Sequence, residues 1–125
     1  MTELPNDLIT ELGKLGYDVE TWRLKKHLSS VKSIDIGVPE AKLHIYVGIT
    51  GENKLEIEIK PLNVFNVYNS GLEPIREIQI IEEDDANNID YVIKLINRME
   101  RLVLGKMLNQ VNTMQAKLNY ILNYR

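Results

Sequence analysis

The chain reads as an α+β protein: two N-terminal helices, an antiparallel meander of about four strands, and a long C-terminal helix that forms a dimerising coiled coil. Three observations predict this. Apolar residues fall at helical spacing before residue 32, two segments between 42 and 60 alternate strictly, and 37 residues from Ile89 to Arg125 contain no proline and one glycine. The expected division is an α+β domain over 1–85 and a helical oligomerisation segment over 86–125.

Pro5 suits the first turn of a helix whose stripe is Leu8, Ile9, Leu12 and Leu15, and Gly16 is placed to cap its end. Thr21 is a plausible N-cap for a second helix, with Leu24, Leu28 and Val31 at i, i+4, i+7 and Trp22 beside Lys25 and Lys26. Ser33 to Gly37 suggests a short strand. Lys42 to Thr50 then puts Leu43, Ile45, Val47 and Ile49 on one face, and Lys54 to Lys60 does the same with Leu55, Ile57 and Ile59. Thr50-Gly51-Glu52-Asn53 between them reads as a hairpin turn. Leu62 to Tyr68 is a further strand or a loop edge, Asn69-Ser70-Gly71 a turn, and Glu77 to Glu82 a last strand around Ile78 and Ile80, with Ile81 on the other face.

Asn87 or Asn88 is the expected N-cap of the last helix, and the acids at 82–85 suit its positive dipole end. Ile89, Val92, Ile96, Met99 and Val103 step by 3, 4, 3 and 4, and Val111, Met114, Leu118 and Ile121 resume that rhythm. A seam of this length exceeds what a small domain can cover, which predicts pairing with a second copy through Met107, Val111, Met114, Leu118 and Ile121. At Gly105 the steps become 4 and 4, so a kink, a register shift or a break into two helices is expected there.

Composition is ordinary for a globular protein, with 44% hydrophobic and 26% charged residues. No apolar run reaches the roughly 18 residues of a membrane span, and the first residues are acidic and polar, so a cytoplasmic protein (host cytoplasm, if viral) is expected. Cysteine is absent, which removes disulfides, thiolate metal sites and cysteine nucleophiles. His27 and His44 have no ligand at metal spacing, Gly48-Ile49-Thr50-Gly51 lacks the lysine of a phosphate loop, and no nucleophile elbow occurs. Glu56 and Glu58 share a strand face, as a solvated face also would. The expectation is no enzyme, no metal and no cofactor.

Net charge is −3, but it is segregated: residues 1–22 hold five acids and one base, residues 23–32 four bases and no acid, Glu82, Glu83, Asp84, Asp85 and Asp90 form a second acidic stretch, and from Tyr91 onward there are six bases and one acid. Trp22, Arg23, Lys25, Lys26 and Lys32, with Tyr46 and Tyr68 (and Phe65) near the sheet, form a basic and aromatic group. Single-stranded nucleic acid is held by that combination, rings stacking on bases and cations tracking phosphates. Intramolecular or dimer pairing of the charges is the alternative.

With Tyr17-Asp18-Val19 and Leu24-Lys25-Lys26-His27-Leu28 as the segments to compare, the order of elements resembles the non-OB single-stranded-DNA-binding proteins of archaea, the ThermoDBP type. The single-stranded-DNA-binding proteins of rod-shaped archaeal viruses are a second candidate kinship, and the Ile- and Asn-rich composition is one that AT-rich viral genomes encode. The resemblance covers the architecture of the whole chain. It implies a sheet-lined cleft for DNA, a zipper-like terminal helix and single-stranded nucleic acid as partner. Two other readings stand beside it. One is a coiled-coil interaction or structural protein, such as a viral or plasmid assembly factor. The other is a helix-turn-helix regulator of duplex DNA, with Arg23, Lys26 and His27 turned toward a groove.

Overall fold

The computed structural model describes residues 3–23, 25–37, 41–62 and 75–123, with the backbone alone at 19–23, 114, 116, 117 and 120. The order is α1 (Asn6–Lys14), β1 (Asp18–Arg23), β2 (His27–Ser33), β3 (Lys42–Ile49), β4 (Leu55–Leu62), β5 (Glu77–Ile81), α2 (Glu83–Ala86) and α3 (Ile89–Asn123). The strands form one antiparallel sheet in sequential order, β1-β2-β3-β4-β5. The fold is thus α+β, with a five-stranded meander.

One expected element is replaced. The second helix predicted from Thr21 does not form: its residues make the β1–β2 hairpin, with Trp22 paired to Leu28 and Arg23 to His27. Leu28 has an alternative partner in Val47 of β3, and burial there outweighs a helical spacing that three residues met by coincidence. Lys25 takes the left-handed conformation (φ 56°) in the turn. The helix-turn-helix reading required that helix and is set aside with it.

The rest of the pattern falls in place with small shifts. Gly16 (φ 94°) terminates α1, and the Tyr17 N–H donates back to the Leu12 carbonyl. The β3–β4 turn closes through Thr50 N–H to the Lys54 carbonyl, with Asn53 at φ 60°. The short strand expected over Ser33 to Gly37 is the last residue of β2 and the connection after it. Leu62 closes β4, and the remainder of the segment to Tyr68 and the turn at 69–71 lie outside the described residues. The acids at 83–85 form a single helical turn of their own, and the Asn88 side chain accepts from Tyr91 N–H at the start of α3.

One face of the sheet, built from Leu28, Leu43, Ile45, Val47, Leu55, Ile57, Ile59 and Ile81, is buried beneath α1 and α3. On β5 the inward positions are Glu77, Gln79 and Ile81, paired with Ile59, Ile57 and Leu55, while Ile78 and Ile80 turn outward beside Glu58 and Glu56. Helix α3 contributes Val92, Ile96, Met99, Val103 and Met107 to the same core, so that core draws on both sides of the boundary expected at residue 85.

Helix α3 runs its 35 residues as one element, without the break expected at Gly105. From Ile89 to Ile121 the stripe advances 32 residues in nine steps, close to the 3.6 of an ideal helix, so it holds one face throughout. Gly105 is exposed on the other side, where its missing side chain is not felt by the core.

Candidate nucleic-acid interface

The outward face of the sheet carries the titratable side chains. Alternation puts His27 and Ser29 of β2, His44 and Tyr46 of β3, and Glu56, Glu58 and Lys60 of β4 on it. Two imidazole–hydroxyl pairs cross diagonally between β2 and β3. Tyr46 Oη and His27 Nδ1 are hydrogen-bonded at 2.8 Å, with the rings stacked at 5.9 Å and 17°. One step along, Ser29 Oγ bonds His44 Nε2.

Gly48 leaves room for the first pair. A Cβ there would collide with the Tyr46 hydroxyl and lie 2.6 Å from His27 Nδ1. Partial burial, and then the carboxylates of Glu56 and Glu58, hold the Tyr46 phenol above its ordinary pKa. Tyr46 is therefore a neutral, half-buried ring already stacked on His27 and flanked by acids. A base would have to displace His27 to use that face of the ring.

The predicted basic group is divided by the fold. Lys25 and Lys26 stand exposed in the β1–β2 turn, where the Lys25 carbonyl accepts from Leu4 N–H and the Lys26 carbonyl from Ile49 N–H. Lys32 points to the opposite side. Its Nζ lies 2.5 Å from Glu100 Oε1 of α3 and 5.5 Å from the centroid of Tyr17, so it serves the interior and not a phosphate. Sequence spacing missed this because the partner is far along the chain. The side chains of Trp22 and Arg23, and all of Tyr68 and Phe65, lie outside the described residues.

Acids at the other edge of the sheet are paired with bases. Glu82 pairs with Lys54 at 3.3 Å, Glu77 with Lys106 at 3.0 Å, and Glu58 with Lys60 and Arg76 at 3.8 Å each. Glu82 raises the Lys54 ammonium pKa through a hydrogen bond and its charge, with Glu52 adding to it.

The expected pairing residues also separate. Met107 is fully buried in its own domain, and Val111 is half-buried against the same core, because the stripe of α3 stays on the sheet farther than Val103. Leu118 and Ile121 are exposed at 55% and 54%, and Leu122 at 62%. The side chain of Met114 lies outside the described residues.

Among the described residues no group of three His, Asp or Glu is placed to hold a metal ion, and no helix is long and apolar enough to cross a membrane. Comparison with protein-family models, curated proteins and solved structures gives no match to this chain.

Proposed function

We propose that the protein is a non-catalytic homodimer that holds single-stranded nucleic acid. The observation that carries this is the exposure of Lys25 and Lys26 in the β1–β2 turn, away from the ion pairs of β4 and β5. Glu77, Glu82 and Glu58 are paired with lysines and an arginine near β4 and β5, while Lys25 and Lys26 lie exposed in the β1–β2 turn at the opposite edge. An acidic protein arranged in this way still presents a local cationic surface to phosphates. The exposed end of α3 supplies the pairing, and two linked copies raise avidity through effective concentration.

The test is fluorescence anisotropy with a labelled oligo-dT at two salt concentrations. Binding that weakens steeply with salt is expected. No binding at low salt, or binding indifferent to salt, sinks the reading.

A second reading is favoured by the exposed Leu118, Ile121 and Leu122. On it, pairing through α3 is itself the function, in an interaction or assembly protein, and oligo-dT does not bind while self-association persists.

A further inference from the structure

The charge on α3 is more one-sided in space than in sequence. From Tyr91 onward the chain has a single acid, Glu100, which is 6% exposed and paired with Lys32. Among the described residues, the exposed charged side chains of α3 beyond Asp90 are therefore all basic: Lys94, Arg98, Arg101 and Lys106. Glu77 takes Lys106. The other three step by 4 and 3, which aligns them in one row on the side of the helix away from Val92, Ile96, Met99 and Val103. Gly105 extends that row without a side chain. Leu108, 43% exposed, is the next position, and Asn112, Gln115 and Asn119, all exposed, continue the row at the same spacing.

We propose that this outer face of α3 is a contact surface for single-stranded nucleic acid, with Lys94, Arg98 and Arg101 on phosphates and Asn112, Gln115 and Asn119 on base edges. The inference rests on the reading above and moves the main contact from the sheet to the helix. Charge complementarity selects a polyanion, since no exposed acid interrupts the row after Asp90. The amides select nucleic acid over an anionic bilayer. A membrane-surface helix flanks its cations with many large apolar residues, whereas Leu108 is the one apolar side chain in this row and the three positions beyond it donate to and accept from bases.

Shape selects a single strand. From Lys94 to Asn119 the row is about 37 Å long on the convex side of a rod, at about 1.5 Å per residue. A rigid duplex would meet that line over a few phosphates only, while a flexible strand can follow it. Ile121 lies on the other side of the helix and Leu118 on the flank beside Gln115, so pairing there leaves the cationic half of the row, Lys94 to Arg101, uncovered.

The experiment compares wild type, K94Q/R98Q/R101Q, N112A/Q115A and K25Q/K26Q against labelled oligo-dT over a salt series, with circular dichroism and Tm as the check on folding. The triple variant is expected to bind roughly tenfold or more weakly at low salt, with a log–log salt slope shallower by about 2, from about 0.7 per lost phosphate contact. The amide variant is expected to weaken binding severalfold at an unchanged slope, and it keeps the test alive should the triple variant fail to fold. If the triple and amide variants bind as wild type while K25Q/K26Q loses binding, this surface is overturned and the general reading survives. If wild type does not bind, both fall. Tighter binding to a duplex of equal length also overturns the proposal.

Discussion

Lys32 of β2 and Glu100 of α3, 68 positions apart, form an ion pair beneath the helix, with the ammonium also facing the ring of Tyr17. Glu100 is almost wholly removed from water, whereas Lys32 keeps about a quarter of its side-chain surface exposed (24%). A charge desolvated to that degree needs its partner. Glu100→Ala leaves Lys32 a route to water and is expected to cost about 1–3 kcal/mol; Lys32→Ala, which strands the buried carboxylate, is expected to cost about 3–5 kcal/mol. The double replacement Lys32→Met with Glu100→Leu should lie within about 1 kcal/mol of wild type, because a buried pair returns little net energy over an apolar one. Urea denaturation of the four proteins gives the three differences. Equal costs for the two single variants would contradict the asymmetry in burial.

The phenol beside that pair gives a pH dependence. Tyr17 is buried, its hydroxyl has no hydrogen-bond partner among the described residues, and burial followed by the charge of Glu100 raises its pKa. A folded-state pKa above the unfolded value of about 10 means that the native state keeps a proton the unfolded chain loses. The associated stability is present below about pH 10 and declines as pH rises beyond it. Tyr17→Phe removes both the titration and an unsatisfied hydroxyl while leaving a ring for Lys32. Its Tm at pH 7 should equal or exceed that of wild type, and its loss of Tm between about pH 10 and 11 should be the smaller of the two. A steeper alkaline loss in the variant would show that Tyr17 is not the responsible group.

Gly48 offers a steric test of the outward face. Its backbone is ordinary for a strand, so Gly48→Ala adds no conformational strain, and the cost comes from the Cβ meeting Tyr46 and His27. Forced repacking of this sort costs about 1–3 kcal/mol. Tyr46→Phe removes the nearer atom but leaves the ring, so the double variant should recover part of the loss. Full additivity of the two changes in chemical denaturation would mean that the two residues do not meet.

How much of this was legible in the sequence follows from which residues each element buries. β3 and β4 alternate in plain view because Leu43 to Ile49 and Leu55 to Ile59 bury one face and leave polar side chains on the other. β2 does not, since its inward positions are Leu28, Ser30 and Lys32, and only the first is apolar. A helix then fits Leu24, Leu28 and Val31 as well as a strand fits the whole. β5 misleads in the opposite way: isoleucines 78 and 80 face outward, and Glu77 faces inward because Lys106 of α3 reaches it. The imidazole–hydroxyl pairs depend on register across 15 and 19 positions, which no local pattern encodes. The row on α3 was available as net charge alone. Knowing that Glu100 is buried is what turns it into a surface.

The exposed end of α3 bears the last prediction. Val111, Leu118 and Ile121 continue the stripe that begins on the sheet, but beyond Val111 the described side chains are all exposed. About three turns of helix would be marginal alone, so they need either their own domain upstream or a partner. Paired with a second copy, so short a seam buries less than a standard interface, which predicts a weak, concentration-dependent dimer with Kd on the order of micromolar. Sedimentation velocity from low to high micromolar protein should show the shift from monomer to dimer. Leu118→Lys with Ile121→Lys should abolish the shift, and it should leave Tm unchanged under dilute, monomeric conditions, because neither side chain belongs to the core. Leu108→Lys, exposed on a different side of the helix, should leave association intact. Monomer at every concentration would remove the homodimer, and oligo-dT binding by L118K/I121K would then show whether holding a strand requires two copies.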